Sequence, residues 1–367
     1  MAGLIPIPAA ASGCPGVTAE LTGGSLSKRA RDHGLICGRL PPGPLNAITD
    51  VAEVRVGHRT LSEADVLTGF TAVLPHGGDL FREKVRAGVE VINGFGKSAG
   101  LMQVAELGQI ETPILLGNTF SVAAGIEALV GRALGANAEI GRSTGTVNAL
   151  VLECNDGFLS DIRRRCLTIA DAEAALDAAS GGSVEEGSVG AGAGMSAFGF
   201  KGGIGTASRV IGLDTGAYTV GVLVQANFGN AGDLVLPDGR RPLPPALAGH
   251  QPPERGSVII VLATDLPLEG RQLTRIARRC GAGLARLGAF WGNGSGDIAI
   301  AFSTADRIAH DGEGDILPLR VLNERRIDLA FRAAAEATQE AVLNAMLAAP
   351  ETIGRDGHRR PSLADSL

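Results

Sequence analysis

The stretch Leu236-Pro-Asp-Gly-Arg-Arg-Pro-Leu-Pro-Pro-Ala-Leu-Ala-Gly-His-Gln-Pro-Pro-Glu-Arg-Gly256, followed without a break by Ser257-Val-Ile-Ile-Val-Leu-Ala263, decides the fold. Its first part holds six of the chain's 18 prolines. Proline has no amide donor and a fixed φ, so this segment cannot continue a central strand or helix and is expected to be an exposed, extended loop. The second part is an unbroken β-branched and aliphatic run, the pattern of a strand buried on both faces. An exposed loop therefore ends abruptly at a core strand, and the junction is Gly256-Ser257.

Working outward, short β-like runs at Val51–Val56, Phe70–Leu74 and Pro113–Leu116 alternate with glycine turns and helical stretches at Leu101–Leu107 and Ser121–Ala133, with Asn118-Thr119 as cap candidates for the latter. Ile169–Ala179 reads as a helix capped by Thr168, and Tyr218–Gln225 as a strand. After the core strand come a helix at Gln272–Phe290, a strand at Asp297–Ser303 and a long helix at Arg326–Ala348. Residues 1–45 mix Gly, Pro, Ser and basic side chains without periodicity and read as an irregular arm on the surface or on a partner subunit. The polar residues 349–367 read as a flexible tail. Strands and helices are interspersed without a regular βαβ rhythm, which favours layered sheets covered by helices.

Composition narrows the function classes. Thirty-three basic against 39 acidic residues leave a net charge of −6, which gives no electrostatic reason to bind nucleic acid or an anionic membrane. Five widely spread cysteines without a C-x-x-C pair indicate neither a zinc ribbon nor a disulfide framework and fit a reducing, cytoplasmic setting. No apolar run approaches the roughly 20 residues of a membrane span. Gly181–Gly205 carries ten glycines in 25 residues, but lacks the G-x-G-x-x-G spacing of a dinucleotide loop. The six histidines are scattered, with no metal-ligand pair at i, i+4, so no metal and no cofactor are expected.

What remains is chemistry at the junction itself. Glycine offers no side chain to obstruct attack by the Ser257 hydroxyl on the Gly256 carbonyl, and an N–O acyl shift followed by hydrolysis frees the serine's α-amine. That amine, with an unperturbed pKa of about 7.7–8.0, can act as base for its own hydroxyl. Without further information a serine at a strand start is an ordinary turn residue.

The chain resembles the family of self-processing N-terminal serine hydrolases that contains L-aminopeptidase/D-esterase and β-peptidyl aminopeptidase. The resemblance runs from Asn46 to Thr304 and rests on ordered blocks. These are Val91-Ile-Asn-Gly-Phe-Gly96, Glu111-Thr-Pro-Ile-Leu-Leu116, Asn118-Thr-Phe-Ser-Val122, Glu153-Cys-Asn-Asp-Gly157, Phe200-Lys-Gly-Gly-Ile-Gly-Thr-Ala-Ser208, Tyr218-Thr-Val-Gly-Val-Leu-Val-Gln-Ala-Asn-Phe-Gly229, Arg255-Gly-Ser-Val-Ile-Ile260 and Gly294-Ser-Gly-Asp297.

The resemblance implies a four-layer α/β/β/α sandwich, cleaved between Gly256 and Ser257 into an α chain of residues 1–256 and a β chain of 257–367 that stay associated. It implies Ser257 as nucleophile, Asn227 as oxyanion stabiliser, Ser295 and Asp297 as the nearby second serine and carboxylate, and Glu153 as the group that pairs with a substrate's free amine. Some relatives carry Glu where this chain has Asp297. Asn155, with Phe158, stands where aromatic residues shape the pocket in some relatives, so Asn155 is expected to line the substrate side. The expected partners are a small peptide, amide or ester, and further copies of the chain in a tetramer of αβ units. Two other readings stay open: an acyltransferase like ornithine acetyltransferase, whose self-processing residue is threonine, and an unprocessed binding protein in which Gly256-Ser257 is an ordinary loop-to-strand junction.

Overall fold

A strand buried on both faces needs a core on each side, and the strand beginning at Ser257 has both. The computed structural model describes residues 28–245, 256–312 and 314–367. Val258, Ile260 and Leu262 enter one hydrophobic core, and Ile259, Val261 and Ala263 enter another, the period-two alternation of a strand. The strands are β1 (Arg55–Glu63), β2 (Val66–Leu74), β3 (Glu83–Gly94), β4 (Gln109–Ile110), β5 (Ile114–Asn118), β6 (Leu150–Cys154), β7 (Ser196–Ala197), β8 (Phe200–Lys201), β9 (Gly203–Leu213), β10 (Gly216–Asn227), β11 (Ser257–Thr264), β12 (Gly296–Ala309), β13 (Thr352–Ile353) and β14 (Arg359–Arg360). The helices are α1 (Leu101–Leu107), α2 (Val122–Ala136), α3 (Ile169–Asp177), α4 (Gly270–Ala285) and α5 (Ile327–Leu347).

Two sheets carry the architecture. One is four-stranded, in the order β1-β2-β5-β6, and the other six-stranded, in the order β4-β3-β12-β11-β10-β9. Val73, Leu116 and Leu152 of the first meet Val89, Leu223 and Ile300 of the second in the core between the sheets. Helices α2 and α3 cover the outer face of the four-stranded sheet through Leu129 and Leu176 against Phe70 and Val151. Helices α4 and α5 cover the six-stranded sheet through Ile276, Leu284 and Val342 against Ile260 and Val224. The result is the expected α/β/β/α order of layers, with an apolar core at each interface.

Several expected elements shift. Val51 and Val54 are buried but belong to a turn closed by Val54 N–H to the Val51 carbonyl at 3.2 Å, and the strand starts only at Arg55. Their three-residue spacing fits a turn rather than a strand. Helix α2 has no side-chain cap; Asn118 instead accepts from Phe120 N–H at 3.1 Å. Thr168 does cap α3, accepting from Asp171 N–H at 3.4 Å. Helix α4 stops at Ala285, five residues before the expected end, where Gly288 at φ 100° turns the chain away.

The flexible tail expected at 349–367 is corrected by the structure. Strands β13 and β14 pair as a hairpin, Arg355 Nε donates to the Gly157 carbonyl at 2.8 Å, and Leu363 is fully buried. Few apolar anchors hold this segment, so its polar composition hid them. The described part of the N-terminal arm, residues 28–45, is likewise fixed to its own chain. Arg31 pairs with Glu340 of α5 at 2.8 Å, and Leu40 N–H donates to Glu336 at 2.9 Å. The fully buried Arg209 joins Glu340 at 2.6 Å and the Cys37 carbonyl at 2.7 Å. Residues 1–27 and 246–255, which include most of the proline-rich loop, lie outside the described residues. Cys37, Cys154 and Cys280 are free and buried, whereas Cys166 is disulfide-bonded. Among the described residues no helix is long and apolar enough to cross a membrane, and no cluster of His, Cys, Asp or Glu could hold a metal ion.

Lys201 is fully buried, and its hydrogen bonds run to two carbonyls, Gly192 at 3.0 Å and Gly202 at 2.8 Å. Burial pushes its pKa down to about 7. Between that value and the unfolded lysine's range the unfolded chain binds more protons, so stability should rise with pH through this window. Denaturant titrations at pH 7 and pH 9 should show the rise reduced by about 2 kcal/mol in Lys201→Met relative to the parent; an unchanged difference would show that the lysine is not held in this state.

Candidate active site

Ser257 opens β11 at the centre of the six-stranded sheet, opposite Asn227 of antiparallel β10 and opposite Gly296 of parallel β12. The preceding residue has no room for a side chain. A Cβ on Gly256 would lie 2.6 Å from the Asn227 carbonyl oxygen and 2.7 Å from the Phe228 Cα, so glycine alone lets β10 and β11 close up at this point. The Gly256 carbonyl accepts from Gly296 N–H at 3.1 Å, so the peptide bond before the serine is polarised by a rung of the ladder. Ser257 itself is buried, with 4% of its surface exposed.

Directly opposed residues of an antiparallel pair share a face, and Asn227 Nδ2 lies 3.5 Å from Ser257 Oγ, the outer limit of a hydrogen bond. The amide orientation is fixed from both ends. Asn227 Oδ1 accepts from Ser196 N–H at 2.9 Å, and Nδ2 donates to the Asn155 carbonyl at 3.0 Å. The donor therefore points toward the serine hydroxyl without rotating. Ser295 Oγ donates to Asp297 Oδ1 at 2.8 Å, and both residues are fully buried at the start of the strand beside Ser257, flanking Gly296. Asn93 holds this segment by donating to the Ser295 carbonyl and, at 3.1 Å, to the Gly292 carbonyl. The Cys154 thiol, at the end of the facing strand β6, donates to the Gln225 carbonyl at 3.7 Å; burial pushes its pKa well above the ordinary thiol range, so it is no competing nucleophile.

Glu153 closes the other side of the site from β6 of the facing sheet. Its Oε1 accepts from Lys97 N–H at 2.7 Å, its Oε2 accepts from the Thr119 hydroxyl, and only 4% of the residue is exposed. A carboxylate held at both oxygens is a fixed negative charge, suited to meeting a cation. Asn155 lies just past the end of β6. Its side chain is exposed and turns back to accept from Gly157 N–H at 2.8 Å, whereas its main-chain carbonyl is the part that reaches Asn227. Sequence reasoning missed Ser196, Thr119, Lys97 and Cys154. Two of them act through backbone groups and two lie inside blocks already noticed, and nothing in their side chains announces a role.

Comparisons with known proteins show what the chain is similar to. The model of peptidase family S58 matches residues 46–360. The chain is 39% identical over 357 residues to β-peptidyl aminopeptidase BapA of Sphingosinicella microcystinivorans, covering 90% of this chain and 88% of that one. Among solved structures, the PH0078 protein of Pyrococcus horikoshii OT3 superposes with a TM-score of 0.85 at 46% identity, covering 92% and 96% of the two chains. The L-aminopeptidase D-Ala-esterase/amidase of Ochrobactrum anthropi, described as a variant of the N-terminal-nucleophile hydrolase fold, superposes with a TM-score of 0.83 at 37% identity, covering 91% and 95%.

Removing a pre-aimed amide donor has a known scale, about 10²–10³ in kcat. Asn227→Ala should lower kcat on an aminoacyl p-nitroanilide by that factor with KM changed little. A loss confined to KM would show that the amide binds substrate and does not act on the developing charge.

Proposed function

The chain belongs to peptidase family S58 and is a serine aminopeptidase with the N-terminal-nucleophile hydrolase fold, and on that premise we propose that it matures by its own cleavage at Gly256-Ser257 and then releases N-terminal residues from small peptides, amides or esters through an acyl-enzyme on Ser257. The observation that carries this reading is the junction itself. A buried serine stands beside an oriented amide donor, and the carbonyl that the serine would attack already accepts a hydrogen bond from Gly296 N–H.

In maturation the Ser257 Oγ adds to the Gly256 carbonyl carbon, and Gly296 N–H meets the negative charge that develops on oxygen. The C–N bond breaks as the hydroxyl proton passes to the nitrogen, which leaves as the amine of Ser257, and water hydrolyses the resulting ester to a Gly256 carboxylate and the restored Ser257 hydroxyl. In turnover the free α-amine accepts the hydroxyl proton as Oγ attacks the substrate carbonyl, and Asn227 Nδ2 donates to the oxyanion. The amine then passes that proton to the leaving nitrogen, and water hydrolyses the acyl-ester. Ser295 and Asp297 hold the α-amine in place from the neighbouring strand. Glu153 pairs with the substrate's own ammonium group, which restricts cleavage to the first residue of a peptide. The homo-oligomer of αβ units implied by the resemblance and the cytoplasmic setting expected from the cysteine pattern belong to the same proposal; a monomeric mass in solution would overturn the former. The serine at position 257 favours this reading over the threonine-dependent acyltransferase.

Intact mass and N-terminal sequencing of fresh protein test maturation. The expected result is two fragments, 1–256 and 257–367, with Ser257→Ala remaining one chain of 37.4 kDa. A parent chain that stays whole after long incubation would leave an unprocessed protein and sink the mechanism.

A further inference from the structure

Asp156 is fully buried and takes no part in the chemistry described above, yet it sits where three strands of the four-stranded sheet, β2, β5 and β6, each have an end. Its Oδ2 accepts from the Thr68 hydroxyl of β2 at 2.5 Å and from Asn118 Nδ2 of β5 at 3.1 Å, and Asn118 Nδ2 also reaches Thr68 Oγ1 at 3.0 Å. Its Oδ1 has no hydrogen-bond partner among the described residues. Burial raises its pKa to about 6, with the Thr68 and Asn118 bonds opposing the rise. A buried carboxylate with one unmatched oxygen is a costly feature to keep in a core, so its position calls for a use.

Two single-residue levers lead from it. The carbonyl of Asn155 belongs to the same peptide unit as the Asp156 amide, and that carbonyl anchors Asn227 Nδ2 at 3.0 Å. Asn118 is followed by Thr119, whose hydroxyl holds Glu153. We propose that Asp156 is a positioning residue that fixes the separation between the oxyanion-stabilising amide of Asn227 and the amine-binding carboxylate of Glu153, and so sets where the scissile bond falls relative to the substrate's ammonium group. This rests on the reading of Glu153 as the amine-binding group.

The test compares the L-alanine and β-alanine p-nitroanilides with propionic acid p-nitroanilide, the common analogue without the amine. In Asp156→Ala, kcat should fall about tenfold on every substrate through the Asn227 lever. The preference in kcat/KM for the better amine substrate over the propionic one should also fall about tenfold, through a higher KM. Asp156→Asn keeps an oxygen for Thr68 and Asn118 and should recover most of both losses. Should Asp156→Ala not fold, Asn118→Ala cuts the Thr119 lever while leaving the Thr68 bond, and must lose the preference. A merely structural role would lower the melting temperature and leave the preference intact, which overturns the proposal. Glu153→Gln separates the two readings: if it abolishes the preference and the Asp156 and Asn118 variants do not, this proposal fails alone. If Glu153→Gln leaves the preference untouched, the amine-binding reading fails and takes this proposal with it.

Discussion

The backbone ladder on either side of Ser257 is the constraint from which the rest of the site follows. Antiparallel β10 on one side and parallel β12 on the other hold the strand β11 from its first residue, so the main chain of the proposed nucleophile, Ser257, has almost no freedom. The register with β10 places Asn227 on the face of the serine hydroxyl, and the register with β12 gives the Gly256 carbonyl its donor. A slip of one residue in either pairing would send these groups to the opposite face. The close approach that Gly256 permits is part of the same geometry, because any side chain there would push β10 and β11 apart.

Cleavage at this point would leave the fold intact for the same reason. The new amino terminus lies within a sheet that is covered on both faces, and Val258 to Ala263 continue to fill two cores at once. Withdrawing that strand would open both apolar layers and expose two unpaired edges. The buried ion pairs of Arg209 with Glu340 and Glu336 join β9 to α5, and Arg31 adds the N-terminal segment through Glu340. Arg209, Glu336 and Glu340 are fully or nearly enclosed, so breaking one partner leaves the other stranded; they specify how the segments dock more than they add stability.

The groups of the candidate site come from both sheets, and the proposed chemistry depends on holding the sheets in fixed relation. Ser257 and Asn227 belong to the six-stranded sheet, and Glu153 to the four-stranded one. The Asn155 carbonyl bridges the gap to Asn227, and Lys97 N–H bridges it to Glu153 from the segment after β3. Orientation is thus supplied before substrate arrives, by main-chain groups whose positions the two sheets dictate. Preorganised donors of this kind act on developing charge without reorganising at the moment of reaction.

By itself the sequence determined the central strand and its abrupt beginning at Gly256-Ser257, because a run of β-branched residues after six prolines admits few other readings. It also determined the main helices and, through ordered motif blocks, the family and the layers. The ends of elements were less legible: Val51 and Val54 looked like strand residues, and the residues from Ala349 onward looked loose, because burial of a few side chains such as Leu363 depends on partners distant in the chain. Only the tertiary structure decided that the Asn155 carbonyl meets the Asn227 amide, that Thr119 and Lys97 fix Glu153, and that Asp156 bonds to both Thr68 and Asn118. The physical reason is that such roles belong to backbone groups and to contacts between segments 34 to 72 residues apart. A residue name carries no record of where its carbonyl points; only the packed sheets settle that.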